Sequence, residues 1–186
     1  MKEGARFLAV ASGPIYERKK KTTLLVGIVG RKGTVEGVLS DRVGIDGNDA
    51  TRKIIKMARS SRFSSQIKAI AINGIAIAGL NVVDVKTVER KAKIPVIILT
   101  RKKPDFVALE KALKSSENQE TDLIKGKIAI VKALNSERPF VKAGGFYVQS
   151  GKKIDYDKGV AIAFELLRLA HMVAKGVSTG VSKGRI

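Results

Sequence analysis

The sequence contains no cysteine and only one histidine, His171, among its 186 residues. These absences exclude a disulfide scaffold, a thiolate metal site and a cysteine nucleophile, and also any centre that needs two imidazoles, such as an HExxH zinc site. Aromatic residues make up 5% of the chain, and they do not alternate with basic residues. This composition disfavours a platform on which single-stranded bases stack. The phosphate-binding motif GxxxxGK[ST] is also absent.

Long apolar runs are absent too. The longest, Ile67–Val83, is interrupted by polar residues and glycines, whereas a bilayer span needs about 20 mostly apolar residues. The apolar stretch Phe7–Ala11 is too short for the core of an export signal and runs into Gly13-Pro14. We therefore expect no membrane partner and a cytoplasmic location. The length predicts a single domain over residues 1–186, because domains usually have about 100–200 residues.

Acidic residues are scarce: 17 Asp and Glu stand against 36 Lys and Arg, for a net charge of +19. Such a surplus repels itself unless anions screen it, and nucleic acid is the commonest polyanion that matches it. A thermophile surface is the alternative, but there Glu usually rises with Lys. Lysine and arginine form three clusters, which are Arg18-Lys19-Lys20-Lys21, Arg101-Lys102-Lys103 and Lys183-Gly184-Arg185. The charge predicts DNA or RNA as a partner, with residues 176–186 as a basic tail.

Hydrophobic periodicity predicts an alternating fold. Strands are predicted at residues 6–12, 22–30, 34–40, 67–72, 95–100, 127–134 and 145–149. Helices are predicted after the caps at 46–49 and at residues 80–92, 105–114 and 156–175. Three strands in a meander, followed by strand–helix–strand crossovers, are typical of the ribonuclease H-like fold.

Right-handed crossovers would place the strands at 67–72 and 95–100 parallel to the first strand. Ligands of open α/β sheets bind where such strands end. The predicted strand ends are Ala11-Ser12-Gly13, Asn73-Gly74 and Thr100-Arg101-Lys102. We expect a functional site where these three ends meet.

Several segments are similar to those of a mostly archaeal family of unknown function that is itself related to endonuclease V, and the similarity covers nearly the full chain. The segments are Val35–Ser40, Asp46–Thr51, Ile72–Ile75, Leu80–Asp84, Arg101–Asp105 and Gly180–Arg185. The resemblance implies an α/β fold with a ribonuclease H-like (endonuclease V-like) mixed sheet flanked by helices.

The resemblance also implies a chemistry. Endonuclease V cuts a nucleic acid strand near a deaminated purine, using Mg²⁺ held by carboxylates on the first strand, near the first helix and in an Asp-Gly turn after the fourth strand. This sequence has Ala11 or Ser12 at the first place and Asn73 at the third. Asp46 and Asp49 remain as metal ligands near the first helix, with Asp41 as a further candidate. The resemblance therefore implies a degenerate site that binds Mg²⁺ or Mn²⁺ weakly.

Each candidate residue also has a simpler interpretation. Asp46 and Asp49 are typical helix N-caps, and Asn73-Gly74 is typical of a tight turn. The resemblance places Arg101-Lys102-Lys103 near a phosphate, although these residues could form a solvated turn. Arg18-Lys19-Lys20-Lys21 is predicted to contact the nucleic acid backbone non-specifically, and His171 to be a packed or surface residue.

Three functions follow from these features. The favoured one is nucleic acid binding by an endonuclease V-like fold that has lost its nuclease activity. The second is an active Mg²⁺-dependent endonuclease that uses relocated carboxylates, with Asp46 or Asp49 and Asn73 as ligands. The third is a scaffold associated with a ribonucleoprotein.

Overall fold

The computed structural model describes residues 4–15, 21–116, 119–151 and 156–183. The strands are β1 (Arg6–Ser12), β2 (Thr22–Arg31), β3 (Thr34–Gly44), β4 (Ile67–Asn73), β5 (Ala76–Ile77), β6 (Asn81–Val82), β7 (Val96–Thr100), β8 (Val141–Ala143) and β9 (Phe146–Ser150). The helices are α1 (Ala50–Ser60), α2 (Val85–Ala92), α3 (Phe106–Lys114), α4 (Thr121–Glu137) and α5 (Tyr156–Thr179).

Seven strands form one mixed sheet in the order β3-β2-β1-β4-β7-β9-β8, while β5 and β6 form a separate two-stranded ribbon. Strands β1, β4 and β7 are parallel neighbours, as the crossover rule predicts. Strands β1, β2 and β3 form the predicted antiparallel meander. Gly33, in the turn between β2 and β3, has φ +68°, which is a left-handed conformation that suits glycine.

Two apolar cores lie on opposite faces of the sheet, because alternate residues of a strand point to opposite sides. Strand β1 contributes Leu8 and Val10 to the core beneath helices α1 to α4, and its other face contributes Phe7, Ala9 and Ala11 to the core beneath α5. Among the described residues, α5 is the helix that covers the second face of the parallel strands. Small alanines on β1 and β4 let this helix pack close to the sheet.

Two predicted elements differ from the structure. Residues 127–134, predicted as a strand, lie inside helix α4, where Lys127, Val131 and Leu134 form one buried stripe at helical spacing. The helix predicted from Leu80 begins only at Val85, because the preceding residues pair in β6. The β8 strand was not predicted.

The end of the chain also differs from the prediction. Helix α5 continues to Thr179, so the first residues of the predicted tail at 176–186 are helical. Among the described residues, no helix combines the length and the apolar character that crossing a bilayer requires.

Candidate nucleic-acid interface

The carboxyl ends of three parallel strands meet at one edge of the sheet. Val10 of β1 pairs with Ile72 of β4, and Asn73 of β4 pairs with Leu99 of β7. The next residue of β1, Ala11, therefore stands beside Asn73. Gly74 has φ +70°, and its amide donates to the carbonyl of Leu99 at 3.2 Å, which turns the chain away from the sheet. Below, this part of the molecule is called the carboxyl edge.

Ala11 and Ser12, the two candidates on the first strand, point to opposite faces. Ala11 is buried in the core beneath α5, the face to which the alternation of β4 also assigns Asn73. Ser12 points to the opposite face, where its Oγ accepts a hydrogen bond from the amide of Ala78 at 3.2 Å. Ala11 and Asn73 are therefore the two candidates that lie side by side on the same face of the sheet.

Asp49 occupies the N-cap position of α1, but its side chain makes no capping hydrogen bond, contrary to the simpler interpretation. Its Oδ1 accepts from the Gly44 amide at 3.0 Å and from Nδ2 of Asn81 at 2.8 Å. Asn81 caps the helix instead, because its Oδ1 accepts from the Ala50 amide at 3.1 Å. Asn81 is fully buried, and its Nδ2 also donates to the Gly44 carbonyl at 2.9 Å.

Asp46 does not cap α1 either. It has φ +54°, and its Oδ1 accepts from the Leu80 amide at 2.7 Å. Its carbonyl accepts from the ammonium of Lys127 at 2.9 Å, and this ammonium also donates to Oε1 of Gln119 at 2.6 Å. Burial lowers the pKa of Lys127, while the charge of Asp46 acts in the opposite direction. Asp46 thus joins the β3–α1 loop to α4 and to the segment before β6.

The residues at the carboxyl edge do not fit a carboxylate-held Mg²⁺ ion. Magnesium prefers hard oxygen ligands and one or two carboxylates, but Ala11 offers no donor and Asn73 offers an uncharged amide. Asp46 and Asp49 each use an oxygen to hold the backbone. Among the residues that the structure describes, no three His, Cys, Asp or Glu side chains are grouped to hold a metal.

The predicted basic residues do gather at the carboxyl edge where the structure describes them. Arg101, Lys102 and Lys103 follow β7 directly and are exposed. Lys21 immediately precedes β2, and its carbonyl accepts from the Ile45 amide at 3.0 Å, so it lies where β3 ends. Arg18, Lys19 and Lys20 lie outside the described residues.

Two of these cations lie over aromatic rings. The guanidinium carbon of Arg101 lies 5.3 Å from the ring centre of Phe164 on α5, and the Lys103 ammonium lies 5.7 Å from that of Phe140. Within the described part of the chain, no carboxylate pairs with the side chains that follow β7. Their charge is therefore directed to solvent or to an anionic partner.

The sequence did not indicate that α5 contributes to this edge. A Cβ placed on Gly30, the β2 partner of Phe7, would lie 2.9 Å from Leu166, and one on Gly13 would lie 2.9 Å from Oγ of Ser178. Helix α5 therefore runs beside β1 in the same direction and ends at the carboxyl edge. From the sequence, the spacing of His171 and Lys175 shows only that they share one side of a helix, not where that side lies.

The fold and the site define a class: a ribonuclease H-like α/β domain of the endonuclease V type, with a basic carboxyl edge. Human endonuclease V superposes with a TM-score of 0.50 over 92% of this chain and 83% of its own, at 10% identity. A crystal structure of an Archaeoglobus fulgidus protein superposes with a TM-score of 0.78, at 32% identity over 92% of this chain and 97% of that one.

Sequence comparison gives the family. The profile of the Endonuclease dU family matches residues 3–178, and the chain belongs to this family. A UPF0215 protein of Thermococcus sibiricus is 41% identical over 89% of this chain and 86% of its own length. Another UPF0215 protein, from Archaeoglobus fulgidus, is 34% identical over 87% of this chain and 89% of its own length. The predicted relationship to a mostly archaeal, endonuclease V-related family is confirmed.

Proposed function

We propose that this protein binds nucleic acid at its carboxyl edge and does not hydrolyse it by the metal mechanism of endonuclease V. The observation that carries the proposal is the composition of this edge. Three parallel strands end there, and the edge carries exposed basic side chains together with Ala11 and Asn73 rather than a pair of carboxylates. Positive charge suits the phosphate backbone, whereas an alanine and an amide supply no charge to anchor a divalent cation.

The name of the family indicates which nucleic acids should be tested first for binding. Because the family is named Endonuclease dU, duplexes that contain deoxyuridine are the natural probes, beside undamaged duplexes of the same sequence and matched duplexes that contain deoxyinosine. The deoxyinosine duplexes are included because the fold is similar to that of human endonuclease V. Matched RNA strands distinguish an RNA partner from a DNA partner.

Fluorescence anisotropy of a labelled duplex, over a series of salt concentrations, tests the binding. Each phosphate contact on duplex DNA contributes about 0.9 to the slope of log affinity against log salt. Replacing Arg101, Lys102 and Lys103 together with alanine should weaken binding by at least about tenfold and lower the slope by about 2 to 3. These residues are exposed, so the variant should fold normally.

A matched triple variant separates a local interface from the overall charge of the chain. Lys91, Lys111 and Lys114 are exposed on α2 and α3, on the other face of the sheet. Their replacement with alanine removes the same three charges but should leave most of the affinity. If both variants lose affinity equally, the carboxyl edge is not the interface. If neither wild type nor variant binds, the proposal is wrong and a ribonucleoprotein scaffold becomes the better interpretation.

The family name favours one second candidate, an active Mg²⁺-dependent endonuclease. It would need relocated ligands from Asp46, Asp49 and Asn73. Asp46 and Asp49 each retain a carboxylate oxygen, Oδ2, that accepts no hydrogen bond from a described residue, although the Arg52 guanidinium lies 3.9 Å from that of Asp49. This candidate predicts cutting of deoxyuridine-containing strands in Mg²⁺ or Mn²⁺, and its loss in Asp46→Asn and Asp49→Asn variants that remain folded.

A further inference from the structure

One side of α5 combines Phe164 with the polar residues His171, Lys175 and Ser178. Phe164, His171, Lys175 and Ser178 are separated by seven, four and three residues, so they lie on the same side of the helix. The ring of Phe164 contacts that of Phe146 on β9, with centroids 4.5 Å apart. This side of α5 therefore faces the half of the sheet that contains β7 and β9.

The end of this stripe lies at the level of the carboxyl edge. A Cβ placed on Gly13, just after β1, would lie 3.4 Å from the carbonyl of Ala174 and 2.9 Å from Oγ of Ser178. Lys175 follows Ala174, and His171 lies one turn before it. The stripe thus brings an imidazole and an ammonium to the ends of the strands that carry Ala11 and Asn73.

Positive charge accumulates here without a described carboxylate to balance it. No ion pair within the described residues involves Lys175 or Arg101. Arg101 lies over Phe164, at the start of the same stripe. Burial lowers the pKa of His171, and the charge of Lys175 lowers it further. Anions bound along this stripe would relieve the repulsion among these groups.

The chemistry of these side chains indicates which anion fits. A guanidinium donates two parallel hydrogen bonds to a phosphate and an ammonium adds a point charge, while the exposed amide of Asn73 can donate as well. We propose that Arg101, His171 and Lys175 form a binding site for neighbouring phosphodiester groups of the bound nucleic acid, because Phe164, beside Arg101, and Lys175 are about 16 Å apart along α5. The side-chain cations of this site supply the positive charge that a metal ion would otherwise bring to the phosphate.

This inference rests on the proposed nucleic acid binding, and the single histidine of the chain provides a direct test. Its imidazole gives one signal in an NMR spectrum of the isotope-labelled protein, and a pH titration of that signal measures the pKa of His171. The titration is repeated with a saturating short deoxyoligonucleotide and with the matching RNA. A phosphate at this site should raise the pKa of His171 by about 1 unit, because a nearby negative charge favours the protonated imidazole.

Two variants complete the test. Lys175→Ala should weaken oligonucleotide binding by about tenfold and reduce the pKa rise, whereas Lys111→Ala, on the opposite face, should change neither. The inference is overturned if anisotropy shows saturation while the His171 signal and its pKa stay unchanged; nucleic acid binding would then remain valid at another surface. If no oligonucleotide binds at all, both proposals are wrong. The RNA and DNA arms show which backbone the site accepts.

Discussion

Ala11 and Asn73 lie side by side at the ends of two parallel strands, because each follows directly after the paired residues Val10 and Ile72. Neighbouring strands are about 4.8 Å apart, so two carboxylates at these positions could share one cation. The sequence places a methyl group and an amide there instead. In the proposed function, this pair stands where a metal site has lost its charged donors.

Restoring the donors should restore metal binding. We expect the double variant Ala11→Asp with Asn73→Asp to bind Mn²⁺ and Mg²⁺, as measured by calorimetry, where the wild type binds neither measurably. Without metal the variant should be less stable, because two neighbouring carboxylates repel and Ala11 is buried. Mn²⁺ at about ten times its Kd should then add about 1.4 kcal/mol to the free energy of unfolding.

The single variant Ala11→Asn is the matched control, because it has a similar shape without the charge. It should show no metal-dependent gain in stability. If the double variant is folded yet gains nothing from Mn²⁺, the placement of the degenerate site at Ala11 and Asn73 is wrong.

Asn81 should contribute strongly to stability, since it is fully buried and bonds to Gly44, Asp49 and Ala50. Asn81→Ala leaves these buried partners without their hydrogen bonds, which should lower the free energy of unfolding by about 3 kcal/mol. Urea denaturation measures the change. The exposed Asn135→Ala on α4 is the control and should unfold like the wild type. A loss no larger than that of the control would contradict the capping role of Asn81.

Asp41 on β3 should make stability depend on acid pH. The ammonium of Lys53, 2.7 Å from Oδ1, and more weakly that of Lys56 lower the pKa of Asp41 to about 2 in the folded protein, from an ordinary value of 3.8. A lowered folded pKa adds stability above pH 3.8, and this stability is lost as the pH falls towards 2. Asp41→Asn should therefore cost about 1 kcal/mol at neutral pH, and the difference from wild type should become small near pH 2 and disappear below it.

Denaturation at several pH values measures this dependence. The exposed Asp122, which also contacts a lysine, Lys125, is the control, because the solvent weakens its ion pair. Asp122→Asn should change the free energy of unfolding by no more than about 0.5 kcal/mol at any of these pH values, the small effect of a charge in the first turn of α4. If Asp41→Asn lowers the free energy of unfolding by the same amount from neutral pH to pH 2, the stabilisation by Asp41 is not electrostatic.

The strands β1 to β4, β7 and β9 could be predicted from the sequence because they depend on local patterns, and the parallel arrangement of β1, β4 and β7 follows from a general crossover rule. Residues 127–134 were misassigned since they form a short, mostly apolar run with the β-branched Ile128, Ile130 and Val131, and only the longer window from Thr121 reveals the helical stripe. The role of Asn81 could not be predicted, because its partner Ala50 is 31 positions away along the chain. The same reason applies to Lys127, whose partner Asp46 is 81 positions away.

The contribution of helix α5 to the site is the feature that was hardest to predict from the sequence. The residues around His171 read as an ordinary amphipathic helix, and nothing local indicates that their polar side meets the ends of β4 and β7. That relationship depends on the close approach of Gly13 to Ser178, which only the folded chain shows. Basic clusters in loops were easier to place, since the loop after a parallel strand must begin at the carboxyl edge.

The most direct test of the account is a single-turnover assay with excess wild-type protein, Mg²⁺ or Mn²⁺, and end-labelled duplexes that contain deoxyuridine or deoxyinosine. Anisotropy on the same samples reports the fraction bound. The account predicts that the DNA is fully bound and remains intact. Metal-dependent cutting that disappears in the Asp46→Asn or Asp49→Asn variant would contradict it and establish an active endonuclease.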